Sequence, residues 1–175
     1  MHDPFSQASA KFAIRLEAPA DSRTCDALLE KAFGQDRHER LVTRMRRGIM
    51  PLATLCFVAH DGHAIHGLLR FYRLRINGVH RPELCFFGPL AIDPASQGLR
   101  LGRWLARYGL AKAASAGFAA AVIIGNQAYY SQFGFRPDLA ENLILPGEVT
   151  PLHLMAMMLE ARELLPLCGW MAIES

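Results

Sequence analysis

Residues 88–103 hold the residue types and the spacing best suited to chemistry. A strand-like apolar run stops at Asp93-Pro94, and a turn containing Gly98 and Gly102 opens a helical pattern. Glycine lets a ligand approach the backbone closely because it has no Cβ. The start of a helix presents unpaired N–H groups and about half a positive charge, and it therefore binds phosphate groups. The stretch predicts an anion-binding site, although a turn followed by ordinary helix packing would show the same glycine spacing.

Two arginines at the start of this helical pattern favour a bound anion. Arg100 and Arg103 fall within about the first turn, where the helix dipole disfavours each cation by about 0.3 to 1 kcal/mol. A bound pyrophosphate would reverse the sign of that interaction. The alternative is that both side chains extend into water, which screens the unfavourable charge.

Two segments carry a family resemblance. Leu-Ala-Ile-Asp-Pro-Ala-Ser-Gln-Gly-Leu-Arg-Leu-Gly at residues 90–102 and Gly-Asn-Gln-Ala-Tyr-Tyr-Ser-Gln-Phe-Gly-Phe at residues 125–135 resemble the GNAT superfamily of N-acetyltransferases. Gln97, Leu101 and Gly102 match the family's pyrophosphate motif, Gln/Arg-x-x-Gly-x-Gly/Ala. Arg100 stands where the middle glycine belongs, so it narrows the space for the diphosphate or adds a charge to it.

The resemblance covers roughly residues 15–159 and implies a reaction. An acetyl or other acyl group would pass from acetyl-CoA, or a related acyl-CoA, to a primary amine by direct attack in a ternary complex. In the family the strand before the pyrophosphate motif separates from its parallel neighbour, and the pantetheine arm pairs with the exposed backbone as an added strand would. Gly88-Pro89 would supply the kink in that strand, and a strand N–H near Leu90 would stabilise the oxyanion. An irregular strand edge without a ligand is the alternative.

The resemblance also implies the site residues. The cofactor-binding residues are Leu90, Ala91, Ile92, Gln97, Gly98, Leu99, Arg100, Leu101, Gly102, Arg103, Asn126 and Tyr130. Asn126 would cap a short helix or contact the cofactor arm.

Tyr130 is the catalytic residue that the resemblance implies. It precedes Gly134 by four residues, the spacing at which the family carries the tyrosine that protonates the departing CoA thiolate. A phenol has a pKa near 10 and is protonated at neutral pH, so it can donate that proton. Without the resemblance, Tyr129 and Tyr130 beside two phenylalanines would predict an aromatic core patch. We interpret Tyr129 as a packing residue.

The sequence contains no clear motif for a general base or for a metal site. The middle of the predicted strand, residues 85–87, has no carboxylate, and Glu83, His66 and Glu39 are candidate bases that could equally be surface or structural residues. The histidines show no metal-ligand spacing, so we expect no metal site.

The composition is that of a globular protein. The 175 residues are 51% hydrophobic and 20% charged, with a formal net charge of +3. We expect a flexible N-terminus at residues 1–10 and a single domain over residues 11–175. The four cysteines are far apart and predict reduced, mostly buried thiols. No apolar run is long enough to span a membrane and no leader pattern is present, so we expect a cytoplasmic protein. The arginine clusters form no polybasic arm, which argues against nucleic acid as a partner. The sequence leaves a homodimer as an open alternative to a monomer.

The elements that position the site follow from periodicity and turn signals. Strands are predicted at residues 12–16, 52–59, 65–76, 83–92, 118–124, 143–145 and 152–159, and helices before Gly34, before Gly48, at residues 101–117 and at residues 127–132. Tight turns at Asp61-Gly62 and Asn77-Gly78 join three strands into an antiparallel meander. The strand-helix-strand order around residues 101–117 makes one pair parallel. The fold class is therefore α/β, a mixed sheet of about seven mostly antiparallel strands with about four helices, and the resemblance makes the parallel pair splayed and the fold GNAT-like.

Two other functions stay open at this point. One is a non-catalytic CoA-binding or regulatory module that kept the fold and lost turnover. The other is an acetyltransferase of macromolecular amines, such as a protein N-terminus, a lysine or an aminoacyl-tRNA, which the arginines within residues 37–47 suggest. We expect the acceptor, a small amine or a peptide, to bind between the first two helices, the loop near Asn77 and residues 141–150. Residues 160–175 receive no prediction.

Overall fold

A computed structural model describes residues 6–35, 41–76, 83–145, 153–159 and 167–174. The helices are α1 (Ser6–Lys11), α2 (Ser22–Phe33), α3 (Leu41–Met45), α4 (Leu101–Ser115) and α5 (Gln127–Tyr130). The strands are β1 (Ala13–Leu16), β2 (Phe57–His60), β3 (Ile65–Ile76), β4 (Leu84–Ile92), β5 (Ala120–Ile124), β6 (Asn142–Ile144), β7 (Leu154–Met158) and β8 (Cys168–Glu174). The predicted hairpin at Asn77-Gly78 lies outside the described residues.

The strands form one sheet in the order β1-β2-β3-β4-β5-β7. β4 and β5 are parallel, as the strand-helix-strand order predicts, and the other neighbours along this path are antiparallel. β3 is long enough to pair with β2 through its first half and with β8 through its second half. β8 in turn pairs in parallel with β6. The described sheet thus has eight strands where the sequence predicts about seven.

Helices cover both faces of the sheet because alternate residues of β3 point to opposite sides. Leu69 packs with Leu105 and Leu110 of α4 in one cluster of buried residues. Its neighbour Leu68 packs with Leu28 of α2 in another. α2 ends at Gly34, whose φ of 80° suits a helix C-terminus. The sheet therefore holds α2 and the N-terminus of α4 on opposite sides of the residues that end β4.

The structure corrects two expectations about local structure. Residues 52–59 do not form one strand, because a 3-10 turn at Ala53–Leu55 precedes β2. The Leu55 N–H donates to the Leu52 carbonyl at 2.7 Å, which turns the chain so that Leu55 is buried. An apolar run alone does not distinguish such a turn from a strand. At the N-terminus, residues 6–10 lie in α1 with Ala8 buried, whereas we expected loose chain there.

The C-terminal residues and the cysteines complete the fold. β8 joins the sheet although no prediction was made for residues 160–175, and residues 160–166 lie outside the described part. The cysteines are free thiols, three of them buried and Cys168 exposed. Among the described residues, no helix has both the length and the apolar character needed to cross a membrane.

Candidate active site

A gap between β4 and β5 forms the centre of the site. Their parallel pairing ends where Phe86 lies opposite Val122, and within the described chain the later residues of β4 have no partner on β5. Two residues of β4, Gly88 and Pro89, lie opposite the single residue Arg70 of β3, so β4 carries a bulge at this point. A bulge bends a strand and ends regular pairing. The kink predicted at Gly88-Pro89 is therefore present, and it opens the edge of β4 toward β5.

The gap belongs to a cleft made of two adjoining cavities. The larger, of about 720 Å³, lies between the separated strands and extends to α2 and α3. The smaller, of about 620 Å³, lies against the start of α4. Phe33, Leu90, Tyr129 and Tyr130 line both cavities. The end of β4 thus borders one cleft that runs from the helix start to the far side of the sheet.

The start of α4 is open to a ligand. Gly98 has a φ of 85°, and a Cβ placed there would meet no atom within 4 Å. At Gly102 a Cβ would lie 3.0 Å from the Tyr129 hydroxyl oxygen and 3.2 Å from Ile92 Cγ1. A larger side chain at Gly102 would therefore crowd the cleft, whereas glycine leaves the first N–H groups of the helix, which have no intrahelical acceptor, within reach of an anion.

Arg100 takes a left-handed backbone conformation, with φ 58° and ψ 14°, at the N-cap position of α4. It is the only non-glycine residue with positive φ in the described chain. For a residue with a Cβ this conformation costs about 1 to 2 kcal/mol. Arg100 thus replaces the motif's middle glycine but keeps a backbone conformation that glycine adopts readily. Its side chain lines the smaller cavity. Such strain is typical of ligand-binding segments.

Tyr130 lies deep in the cleft among aromatic rings. Its ring centroid is 5.9 Å from that of Phe87 and 6.0 Å from that of Phe135. Gly125 makes room for the ring, since a Cβ there would lie 2.5 Å from Tyr130 Cε2. Burial raises the pKa of Tyr130 above its usual value, and the neighbouring Tyr129 adds to the rise. The phenol is therefore protonated throughout the neutral and mildly alkaline range.

Comparison with known proteins now identifies the family. The model of the acetyltransferase (GNAT) family matches residues 22–135, which is more than half of the chain. The N-acetyltransferase YhbS of Escherichia coli K12 is 36% identical over 125 residues, covering 70% of this chain and 72% of that protein. The N-acetyltransferase YjhQ of the same organism is 26% identical over 128 residues, covering 72% and 70%. The chain belongs to the acetyltransferase (GNAT) family.

Solved structures agree with this membership. The crystal structure of E. coli YhbS in complex with CoA matches with a TM-score of 0.79 and 29% identity, over 93% of this chain and 89% of that one. A GNAT family acetyltransferase from Brucella melitensis in complex with acetyl-CoA matches with a TM-score of 0.69 and 26% identity, over 92% and 94%. The predicted fold class and the predicted class of enzyme, an acetyltransferase, are confirmed.

The cleft of this GNAT protein brings together nearly all of the cofactor-binding residues that the sequence resemblance implies. The smaller cavity is lined by Leu90, Ala91, Ile92, Gln97, Gly98, Arg100, Leu101, Gly102, Arg103 and Tyr130. Asn126 lines the larger cavity and also caps α5, since its Oδ1 accepts a hydrogen bond from the Tyr129 N–H at 3.3 Å. Leu99 is the exception: it lines neither cavity and packs against the core instead.

Neither of the two described candidate bases borders the GNAT cleft. Glu83 is exposed and pairs with Arg73. His66 Nε2 lies 2.8 Å from Asp61 Oδ2, and its Nδ1 lies 3.0 Å from Ser96 Oγ. Neither residue lines the two cavities, and Glu39 lies outside the described residues. Glu83 therefore has its partner away from the cleft, whereas His66 contacts Ser96, a residue that lines the smaller cavity.

Tyr129 and Asp26 are among the cleft residues of this GNAT protein that sequence reasoning did not assign to the site. Tyr129, interpreted as packing, lines both cavities, and its hydroxyl reaches the start of α4. Burial raises the pKa of Tyr129, and Arg103 opposes that rise. Asp26 of α2 is the carboxylate that borders the larger cavity within the described chain. The helical spacing of apolar residues identifies only the buried face of α2. It therefore does not indicate that Asp26 borders the cleft.

Only some of the segments expected to form the acceptor pocket border the cleft. α2 and α3 line the larger cavity. Residues 141–145 do not line it, and Asn77 and residues 146–150 lie outside the described residues.

Proposed function

We propose that this protein binds acetyl-CoA, or a related acyl-CoA, along the cleft and transfers the acyl group to a primary amine in a ternary complex. The observation that carries the proposal is the opening of β4 from β5 directly beside the glycine-lined start of α4. Crystal structures of two relatives contain CoA or acetyl-CoA. The residues present here fit such a ligand, because one end of the cleft suits a diphosphate and the other an extended arm.

Residues 97–103 would hold the diphosphate. The N–H groups at the start of α4 donate to phosphate oxygens, and the helix dipole favours the negative charge. Arg100 and Arg103 both line this cavity and add two positive charges. Along β4, the backbone groups of residues 90–92 that point away from β3 face the gap and are free to pair with an extended arm.

The reacting thioester would then lie near Leu90 and Tyr130, which border both cavities. A β4 N–H group facing the gap would stabilise the oxyanion that forms when the amine attacks. Tyr130 would donate its phenolic proton to the departing thiolate. The acceptor amine would enter from the side of α2 and α3, either as a small molecule or as part of a peptide. It would lose a proton before its attack.

A binding and activity test addresses the proposed function. Calorimetry is expected to show one acetyl-CoA bound per chain, and a thiol-release assay with a panel of small amines and peptides is expected to show turnover. Binding without release on any amine would contradict the transfer reaction and would favour a CoA-binding module. Absence of binding would remove the cofactor assignment as well.

The two arginines at the start of α4 permit a sharper test of the diphosphate position. Arg100→Gln and Arg103→Gln are each expected to weaken acetyl-CoA binding by about three- to tenfold, because each removes a charge beside the phosphates. Arg107→Gln, on the same helix but outside the cleft, serves as the matched control and is expected to bind as the unaltered protein does. Calorimetric dissociation constants check the result. Equal affinity for all three variants would contradict the assignment.

We also propose a cytoplasmic location. The buried free thiols of Cys25, Cys56 and Cys85 support it, because unpaired cysteines suit a reducing compartment.

A further inference from the structure

Ser96 stands beside the proposed diphosphate segment but has no role in the proposed function. It ends the 3-10 turn at Pro94–Ser96, directly before Gln97, and it lines the smaller cavity. Only 3% of its surface is exposed, and tyrosine and cysteine aside it is the one buried residue with a polar side chain in the described chain. A buried hydroxyl destabilises a fold unless it forms a hydrogen bond, so Ser96 requires a partner.

A chain of hydrogen bonds connects Ser96 to the hairpin between β2 and β3. Ser96 Oγ lies 3.0 Å from His66 Nδ1, and His66 Nε2 lies 2.8 Å from Asp61 Oδ2. The other carboxylate oxygen of Asp61, Oδ1, accepts hydrogen bonds from the N–H groups of His63 and Ala64, at 2.9 Å each. The hairpin thus fixes the carboxylate of Asp61, and the carboxylate fixes the imidazole ring of His66.

The Asp61 carboxylate sets the direction of the hydrogen bonds in this chain. The N–H groups of Ala64 and His63, together with His66, hold the pKa of Asp61 below its usual value. The ionised carboxylate can only accept hydrogen bonds, so Nε2 of the neutral His66 ring carries the proton and donates to it. Nδ1 is then an acceptor, and the Ser96 hydroxyl donates to it. The buried hydroxyl of Ser96 is satisfied only while the ring keeps this orientation.

His66 also holds the turn through its backbone. The Asp93 N–H donates to the His66 carbonyl at 2.8 Å, and the Ser96 N–H donates to the Asp93 carbonyl at 2.8 Å. The His66 ring packs against that of the buried Phe12, with centroids 5.1 Å apart. Asp93 pairs with Lys31 of α2 as well, but the Lys31 side chain is 55% exposed, and exposed ion pairs contribute little. His66 is therefore the stronger of these two attachments.

We infer that Asp61, His66 and Ser96 are positioning residues for the acyl-CoA. They hold the turn in the conformation that presents Gln97, Gly98 and the first N–H groups of α4 to the diphosphate. This inference rests on the proposed function and adds residues that act on the cofactor without touching its reacting atoms. A segment that is already ordered loses less conformational entropy on binding than a loose one. Loss of the chain therefore weakens the binding of acyl-CoA and leaves the chemical step unchanged.

Ser96→Ala tests the hydroxyl. The variant is expected to bind acetyl-CoA about three- to tenfold more weakly, with a similar rise in KM for acetyl-CoA, because one hydrogen bond of the chain is lost. Its kcat at saturating acetyl-CoA is expected to change by less than about twofold. Ser115→Ala is the matched control, because Ser115 Oγ also donates one hydrogen bond, to the Ala111 carbonyl, but lies at the far end of α4 and lines neither cavity of the cleft. This control is expected to bind as the unaltered protein does.

Variants of His66 test the chain as a unit. His66→Phe keeps a ring against Phe12 but removes the acceptor of the buried Ser96 hydroxyl, so it is expected to bind acetyl-CoA about tenfold or more weakly. Adding Ser96→Ala to it removes that unsatisfied hydroxyl, and the double variant is expected to bind no more weakly than His66→Phe alone. His66→Asn offers an amide oxygen to Ser96 and is expected to regain part of the affinity.

Calorimetry, steady-state kinetics and thermal unfolding decide the outcome, and Ser96→Ala carries the test alone if His66→Phe fails to fold. Unchanged affinity in Ser96→Ala, with only a lowered melting temperature, would overturn the inference and leave the chain a purely structural contact. Additive losses of affinity in the double variant, or a fall in kcat without weaker binding, would overturn it too. These outcomes leave the proposed function standing, whereas an unaltered protein that does not bind acetyl-CoA would remove both.

Discussion

Tyr130→Phe is expected to lower turnover by about a hundredfold or more while acetyl-CoA binds almost as tightly as before. General acid catalysis by a positioned side chain contributes about 10²- to 10⁴-fold to a rate. The substitution removes only the hydroxyl, and the ring keeps its packing against Phe87, Phe135 and Gly125. Steady-state kinetics with an accepted amine, together with calorimetry, measures both quantities.

Tyr129→Phe is the matched control for this prediction. The two tyrosines are adjacent on α5 and border the same cavities. The Tyr129 hydroxyl lies at the start of α4, so its loss is expected to change acetyl-CoA affinity modestly and turnover only a few-fold. An unchanged rate in Tyr130→Phe, or an equal fall in rate in both variants, would remove Tyr130 from the acid role.

The assignment of Tyr130 as the general acid also predicts how turnover depends on pH. Burial raises the pKa of Tyr130, so the phenol keeps its proton when the pH exceeds the usual tyrosine value near 10. Turnover is therefore expected to hold or rise between pH 7 and pH 10, as a growing fraction of the acceptor amine loses its proton. A descending limb below pH 10 that disappears in Tyr130→Phe would contradict the raised pKa.

Gly102→Val is expected to weaken acetyl-CoA binding by about a hundredfold or more in a protein that still folds. The Cβ alone would lie 3.0 Å from the Tyr129 hydroxyl oxygen and 3.2 Å from Ile92 Cγ1, and two methyl groups would extend further into the cleft. The side chain would block the approach of a diphosphate to the helix N–H groups. Loss of charge-assisted hydrogen bonds, at about 1.5 to 3 kcal/mol each, gives an effect of this size.

Ala111→Val separates this blocking from the cost of a β-branched residue in a helix. Ala111 is an exposed residue of α4 that borders neither cavity of the cleft. Circular dichroism and thermal unfolding report whether each variant folds, and calorimetry reports its affinity. A folded Gly102→Val protein with the affinity of the unaltered chain would show that the diphosphate does not bind here.

Local signals were enough to predict the centre of the fold. Asp61-Gly62 marked a hairpin, Asp93-Pro94 marked the end of a strand, and the strand-helix-strand order fixed the parallel direction of β4 and β5. Gly88-Pro89 marked the bulge that opens the sheet. These features depend on residues close in sequence, whose backbone preferences act before any tertiary contact forms.

Features that depend on distant contacts were not predictable. β8 pairs with β3 and β6, and no short-range pattern in residues 168–174 indicates those partners. Asp26 and Tyr129 became site residues only when the fold brought α2 and α5 to the same cleft. The left-handed backbone of Arg100 was not predictable either, because a residue with a Cβ rarely adopts that conformation.

A crystal structure of the protein with acetyl-CoA tests the central claim most directly. The account predicts the diphosphate against residues 97–103, the pantetheine arm beside residues 90–92 in the gap between β4 and β5, and the thioester sulfur close to the Tyr130 hydroxyl. Acetyl-CoA bound elsewhere, or a gap closed by the protein's own side chains with the ligand present, would contradict it.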